Sequence, residues 1–227
     1  MAHVLIEGQP GVGETIRLDE AMSHHLLRVR RLPRGASIVV VDGQGHEAPA
    51  QLVGVHEGRA ALAVTGPWVG RPATAPRHLV WAIPKGPALD HGLRMAVEAG
   101  VTDIHLALGT RSVARSDRHD RWLRIVAGAC AQAGRREHPR LGALQSDLAG
   151  AVAGIPADTT RFVAVPGGAE VPATGAARAI AVGPEGGFAP HELDTLLDEG
   201  WQPVGLGAHV LRSDTAAAVG VAWLTRG

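Results

Sequence analysis

Eleven residues, Gly66 to Pro76, hold three prolines and two glycines and separate two hydrophobic patterns that cannot share one sheet. Before them the chain reads as short β-branched runs with turn signals. Ser37 to Val41 ends at Asp42-Gly43-Gln44-Gly45, a hairpin-type turn, and Glu47–Val55 and Arg59–Thr65 continue as strands around Gly58. One helix is predicted over Asp19–Val29, with Met22, Leu26 and Val29 at helical spacing. Several short strands with one helix suggest a small barrel. After the break, strands alternate with helices. His78–Ile83, Asp103–Leu108, Arg161–Val165, Ala179–Val182 and Gln202–Leu206 read as strands. Leu89–Ala99, Asp117–Ala133, Pro190–Glu199 and Ser213–Leu224 read as helices, the last with Ser213 as N-cap. That alternation predicts a mostly parallel sheet covered on both faces. The expected division is a β unit at 1–70, a linker at 71–76 and an α/β unit at 77–227.

A chain of 227 residues buries roughly 70% of its unfolded surface, so neither unit needs a staple. The single Cys130 excludes a disulfide framework and fits a reducing compartment. No apolar run approaches ~18 residues, and Met1 to Glu7 lacks the form of a secretory signal, so no membrane association is expected. Twelve histidines form no H-E-x-x-H pattern, which argues against a zinc site, and no G-x-S-x-G supplies a hydrolase elbow.

Net charge is zero, but it is a cancellation. Residues 1–70 hold 6 basic and 7 acidic groups, residues 71–145 hold 12 and 6, and residues 146–227 hold 4 and 9. Of the 22 cations, 21 are Arg and Lys85 is the only Lys. The densest run holds Arg111, Arg115, Arg118, Arg121, Arg124, Arg135, Arg136 and Arg140; Arg28, Arg30, Arg31 and Arg34 form a second cluster. Arginine forks suit phosphate oxygens. The absence of Tyr and the 3% aromatics disfavour a protein that binds RNA mainly by stacking bases.

Three strand ends carry the candidate chemistry. Val182-Gly183-Pro184-Glu185-Gly186-Gly187-Phe188 joins a strand to a helix, where open α/β sheets bind ligands. It matches neither G-x-x-x-x-G-K-[ST] nor G-x-G-x-x-G, which disfavours a nucleoside triphosphate. Leu206-Gly207-Ala208-His209-Val210-Leu211-Arg212-Ser213-Asp214-Thr215-Ala216 is longer than a turn requires and offers apolar walls for an adenine. Val163-Ala164-Val165-Pro166-Gly167-Gly168 is placed to close the pocket.

The pair Gly183-Pro184-Glu185-Gly186-Gly187-Phe188 and Leu206-Gly207-x-x-Val210-Leu211-Arg212-x-Asp214-Thr215-Ala216 resembles the ribosomal small-subunit methyltransferase E family, of the SPOUT class. His24 to Leu32 and Asp42 to Gly45 resemble its PUA-like barrel. Lys85-Gly86, Glu98 to Val101, Thr110 to Val113, Trp122 and Gln132 to Arg135 resemble its middle blocks. Met95, Ala99 and Ala131 stand where the family commonly has Lys, Leu and Glu.

The resemblance implies an N-terminal PUA-like β-barrel and a C-terminal SPOUT α/β domain tied in a trefoil knot. It implies a cytoplasmic homodimer that methylates N3 of a uridine in 16S ribosomal RNA, within a small ribosomal subunit or its precursor. S-adenosylmethionine would be held by Val165, Pro166, Gly167, Val182, Gly183, Pro184, Glu185, Gly186, Gly187, Leu206, Gly207, Val210, Leu211, Arg212, Thr215 and Ala216. Arg212, Asp214 and Glu185 are the catalytic candidates. Arg212 would stabilise the uracil anion, and either carboxylate would accept the N3 proton or serve structure alone. Arg28, Arg30, Arg31, Arg111, Ser112, Gln132 and Arg135 are the expected RNA contacts. A ribose 2′-O-methyltransferase and a non-catalytic assembly protein are the alternatives. The Leu211 to Ala216 segment argues against the first and the paired cofactor loops against the second.

Overall fold

The computed structural model describes residues 2–70, 74–113, 117–169 and 175–225. Arg71, Pro72 and Ala73 of the expected linker, and Arg115 of the basic run, lie outside the described residues. The chain forms two compact units: Met1–Ala73 with Cys130–His138, and Thr74–Ala129 with Pro139–Gly227.

The first unit is one mixed sheet. Its strands are β1 (Ala2–Leu5), β2 (Thr15–Arg17), β3 (Ser37–Val41), β4 (His46–His56), β5 (Arg59–Val64) and β6 (Val69–Gly70). They run in the order β1-β3-β4-β5-β2, with β6 on β4. β1 lies parallel to β3, and the other pairs are antiparallel. Alternate residues of four strands (Val4, Ile38 and Val40, Ala48 to Leu52, Ala60 to Val64) converge on one buried cluster. A sheet whose inward faces share one interior is rolled around it, as period-two side chains require.

The helix expected at Asp19–Val29 divides. Asp19 caps α1 (Glu20–His24) by accepting the Met22 N–H at 2.7 Å, and a π-helical turn follows over His25–Val29. The Arg30 N–H reaches back five residues to His25 O at 2.9 Å. The wide turn keeps Leu26 in the core, while Arg28, Arg30 and Arg31 are exposed and Arg31 takes φ +51°.

The second unit is a six-stranded parallel sheet. Its elements are β7 (Arg77–Ala82), α2 (Ala88–Glu98), β8 (Asp103–Ala107), α3 (His119–Ala133), β9 (Arg140–Leu141), α4 (Leu148–Val152), β10 (Thr160–Ala164), β11 (Arg178–Val182), α5 (Pro190–Asp198), β12 (Gln202–Val204) and α6 (Ser213–Leu224). The order is β12-β10-β11-β7-β8-β9. Every residue of β7 and β11 is buried, as a doubly covered parallel strand demands. α6 packs against α2, β7 and β11; it is apolar nearly all round because it lies between a sheet and a helix. Gly220 lets it approach Ile180, where a Cβ would stand 2.8 Å from Cδ1. α4 and α5 contribute Leu148, Val152 and Leu196 to a second core with Val80, Ala181 and Trp201.

Two buried arginines finish the amino ends of the central strands. Arg77 Nη1 donates to Pro76 O at 2.9 Å and Ala176 O at 2.5 Å. Arg178 donates to Gly175 O at 2.6 Å and to Leu224 O at 2.7 Å, where a cation also complements the carboxyl end of α6. Among the described residues no helix is long and apolar enough to cross a membrane.

Candidate active site

β12, β10 and β11 are neighbours, so the loops leaving their carboxyl ends converge. They enclose a cleft of about 610 Å³, counting its open mouth, within the range of small-molecule sites, roughly 300–1,000 Å³. Val165 and Pro166 line it from the first loop. Val182, Gly183, Pro184, Glu185 and Gly187 come from the loop after β11. Leu206, Gly207, Val210, Leu211 and Ala216 come from the third segment. All of these are among the residues expected from the sequence. Ala164, His209 and Ser213 also line the cleft; they lie in the segments read from the sequence but not among the expected cofactor contacts. Gly167, Gly186, Arg212 and Thr215 do not line it. Gly167 makes the turn in which the Gly168 N–H meets Val165 O at 3.1 Å, at φ +73°.

The glycines follow from how closely these loops approach. A Cβ on Gly168 would lie 2.5 Å from the Val204 carbonyl carbon, and one on Gly205 would overlap the Gly168 carbonyl oxygen. The same strands are clasped by the Gly205 N–H to Ala169 O at 3.0 Å. A Cβ on Gly183 would stand 3.0 Å from the backbone of Gly187, so the loop after β11 folds back on itself only without a side chain.

Ser213 is the joint of the site. The N-cap of α6 is Arg212, not Ser213. The Ser213 hydroxyl instead donates to Gly183 O at 2.7 Å and accepts the Trp81 indole N–H at 2.9 Å. Trp81 is fully buried on β7, so the relay ties the sheet, the glycine loop and α6 together.

The three catalytic candidates separate. Both oxygens of Glu185 accept the backbone N–H of Lys85, at 3.0 and 3.2 Å, so this carboxylate tethers the loop after β11 to the loop after β7. Asp214 is buried in the first turn of α6, and its Oδ1 accepts the Thr215 N–H at 2.9 Å. Arg212 has its side chain 76% exposed, with Nε and Nη2 each 3.4 Å from the Asp214 carboxylate.

In the second unit two of the expected RNA contacts, Arg111 and Ser112, are engaged with the backbone. Arg111 Nη1 donates to Gly186 O at 2.6 Å and Phe188 O at 3.2 Å, bracing the glycine loop from outside. Ser112 is buried, donates to Ile83 O at 2.8 Å and accepts the Gly109 N–H at 3.1 Å. A hydroxyl enclosed by two backbone partners cannot also reach RNA. Thr110 is held in the same way, its N–H donating to Glu192 Oε1 at 2.8 Å. In the first unit Gln132 is exposed at the last turn of α3. Arg135 is partly buried near Cys130 and Glu137, and burial lowers its guanidinium pKa. The side chains of Arg28, Arg30 and Arg31 make no hydrogen bond or ion pair among the described residues.

Residues 71–225 match the family described as RNA methyltransferase domain, and residues 18–64 match RNA methyltransferase PUA domain. Ribosomal RNA small subunit methyltransferase E of Synechocystis is 31% identical, over 98% of this chain and 77% of that protein. The Mycobacterium bovis protein of the same name is 31% identical, over 94% of this chain and 87% of that one. The crystal structure of ribosomal RNA small subunit methyltransferase E from Neisseria gonorrhoeae, bound to S-adenosyl methionine, superposes with a TM-score of 0.86 at 27% identity, covering 98% of this chain and 95% of that one. With 31% identity to a curated relative along almost its whole length, this chain belongs to the ribosomal RNA small subunit methyltransferase E family.

Proposed function

We propose that this chain transfers the methyl group of S-adenosylmethionine to N3 of a uridine in 16S ribosomal RNA. The observation that carries the reading is the three-loop cleft and its charge. Its lining is apolar walls, backbone, His209 and Ser213, with Glu185 as the one Asp, Glu, Lys or Arg side chain. A triphosphate would meet a carboxylate and no cation there; a sulfonium donor meets the right sign. Bound S-adenosylmethionine supplies a methyl group already activated on a positively charged sulfur.

The chain's own residues then have three tasks. Leu206, Val210, Leu211 and Val165 wall the cofactor, and the Ser213 relay fixes the Gly183 loop against it. Asp214 receives the uridine N3 proton, because Glu185 is bound to the Lys85 N–H whereas Asp214 Oδ2 has only the long contact from Arg212. Arg212 holds the uracil oxygen on which negative charge develops, its guanidinium oriented by the Asp214 carboxylate.

The same reading includes loops tied in a trefoil knot, a homodimer with each site at the two-fold interface, and a cytoplasmic site of action on the small subunit or its precursor. The exposed Arg28, Arg30 and Arg31, on a unit that matches a PUA domain, support phosphate contact there.

The test is nucleoside mass spectrometry of unmodified small subunits incubated with enzyme and cofactor. 3-Methyluridine is the expected product; methyl on a ribose or another base refutes the reading. Arg212→Ala is expected to lower turnover about 100-fold or more while cofactor affinity stays within about threefold. Unchanged turnover removes Arg212 from the mechanism.

A further inference from the structure

A second groove opens on the other side of the loop after β7. It is about 670 Å³ with its mouth and lies between that loop and the starts of α2 and α3. Ile83, Pro84, Pro87, Leu89 and Trp122 make an apolar wall, while Arg118, Arg121 and Asp90 make the polar edge. Arg121 is locked by Asp90, with Nη2 and Nε at 2.5 and 3.2 Å from one carboxylate oxygen. The exposed side chain of Arg118 makes no hydrogen bond or ion pair among the described residues. The loop after β7 links this groove to the cofactor cleft. Pro84 and Gly86 line the groove, and the intervening Lys85 N–H is held by Glu185, which lines the cleft. Lys85, the chain's only lysine, has an exposed side chain there.

We propose that this groove binds a nucleotide flanking the methylated base. Its phosphate lies on Arg118 and Arg121, and its sugar and base edge lie against the Pro84–Pro87 wall. Charge decides the occupant. Two guanidinium groups face one carboxylate, which already turns one fork to a fixed direction, and a flat apolar wall stands beside them. That pairing suits a phosphodiester with an attached ring better than an apolar peptide or a free metabolite. The position decides the role: a nucleotide held here delivers its neighbour across Lys85 to the mouth of the cleft. The inference rests on the RNA-methyltransferase reading.

Unmodified small ribosomal subunits are the probe, in filter binding across a salt series. Arg118→Ala and Arg121→Ala are each expected to weaken subunit binding about 10-fold at low salt and to flatten the log–log salt dependence by about one. Pro87→Glu, which keeps both arginines and adds a negative charge at the rim, is expected to weaken binding similarly. Arg161→Ala removes the same charge at the amino end of β10 and is expected to change binding less than twofold. Cofactor affinity by calorimetry stays unchanged in all four. The proposal is overturned if the groove variants behave like Arg161→Ala, or if they lose cofactor and subunit binding together. The salt slope is read without product, so it decides the groove even where the nucleoside formed is not 3-methyluridine.

Discussion

Ser213→Ala removes one oxygen and leaves the buried Trp81 indole N–H and the half-buried Gly183 carbonyl without their partner. The Trp81 indole N–H sits on a residue with no exposed surface, and its hydroxyl acceptor at 2.9 Å is gone. Gly183 O loses its donor at 2.7 Å. Each unsatisfied buried polar group costs about 1–3 kcal/mol, and the space vacated by a single oxygen does not admit a replacement water, so the pair costs roughly 2–4 kcal/mol. At about 2–4 °C per kcal/mol for a domain of this size, the melting temperature falls roughly 5–15 °C. Cofactor affinity is expected to fall about 10-fold, because Gly183 is the turning point of the cleft's central loop. The assay is calorimetric unfolding in a double-mutant cycle with Trp81→Phe, followed by cofactor titration. In the Trp81→Phe background no indole N–H remains to be orphaned, so Ser213→Ala should cost about 1–2 kcal/mol less than in the native chain. A melting temperature within about 2 °C of native, or strictly additive mutations, would show that the relay carries no stability and that the reasoning is wrong.

Three further outcomes follow from the same geometry. Gly205→Ala places a Cβ on the Gly168 carbonyl oxygen, a backbone atom that cannot yield cheaply, so it should cost about 2 kcal/mol or more and abolish measurable cofactor binding; native calorimetry in both respects would contradict the packing argument. Arg111→Ala unbraces Gly186 and Phe188 and is expected to weaken cofactor binding about 10-fold with an unaltered salt slope for subunit binding, whereas a flattened slope would return Arg111 to the RNA surface. Burial, reinforced by His78, pushes the His105 imidazole down to about 4, so the native state resists the proton that the unfolded chain takes up near pH 6.5. That contribution is complete above pH 6.5 and is lost as pH falls through 4, about 2–3 kcal/mol after allowing for partial exposure; urea melts at pH 7, 5.5 and 4.5 should show a loss that His105→Leu removes.

The elements legible in the sequence are those whose pattern is local. β3 and α6 begin and end as read, because a β-branched run stops at a turn signal in one and an apolar stretch follows polar residues in the other. β1 and α4 are not legible, since four or five residues carry too little periodicity and are held by neighbours distant in sequence. Cys130–His138 joins the first unit although its first four residues end a helix begun in the second, an attachment that no local pattern signals. The glycine loops are legible for a related reason: backbone-to-backbone approach leaves glycine as the residue that fits, and that demand is written in the chain. Ser213 reads as a cap because its first role, toward Trp81, spans 132 positions. Arg111 reads as an RNA contact because its carbonyl partners lie 75 and 77 positions away.

The arginine count shows the same limit from the other side. A basic segment reads as a phosphate footprint only while its cations are unassigned. In the folded chain, Arg77, Arg111 and Arg178 each donate to two carbonyl oxygens, a task suited to a guanidinium fork. Arg121, Arg136 and Arg140 are paired with Asp90, Glu47 and Asp103. Arg77, Arg111, Arg136 and Arg140 are thereby held by the fold, while the Arg121 side chain, 54% exposed, still lines the Pro84–Pro87 groove. Exposed cations without such partners among the described residues include Arg28, Arg30, Arg31 and Arg34 in the first unit, and Arg118 with the side chain of Lys85 in the second. Each small set stands beside an apolar surface of its own unit: the exposed Val29 in one, the Pro84–Pro87 wall in the other. A neutral chain can therefore carry its exposed, unpartnered cations as a short patch within each unit rather than as a field over the whole surface.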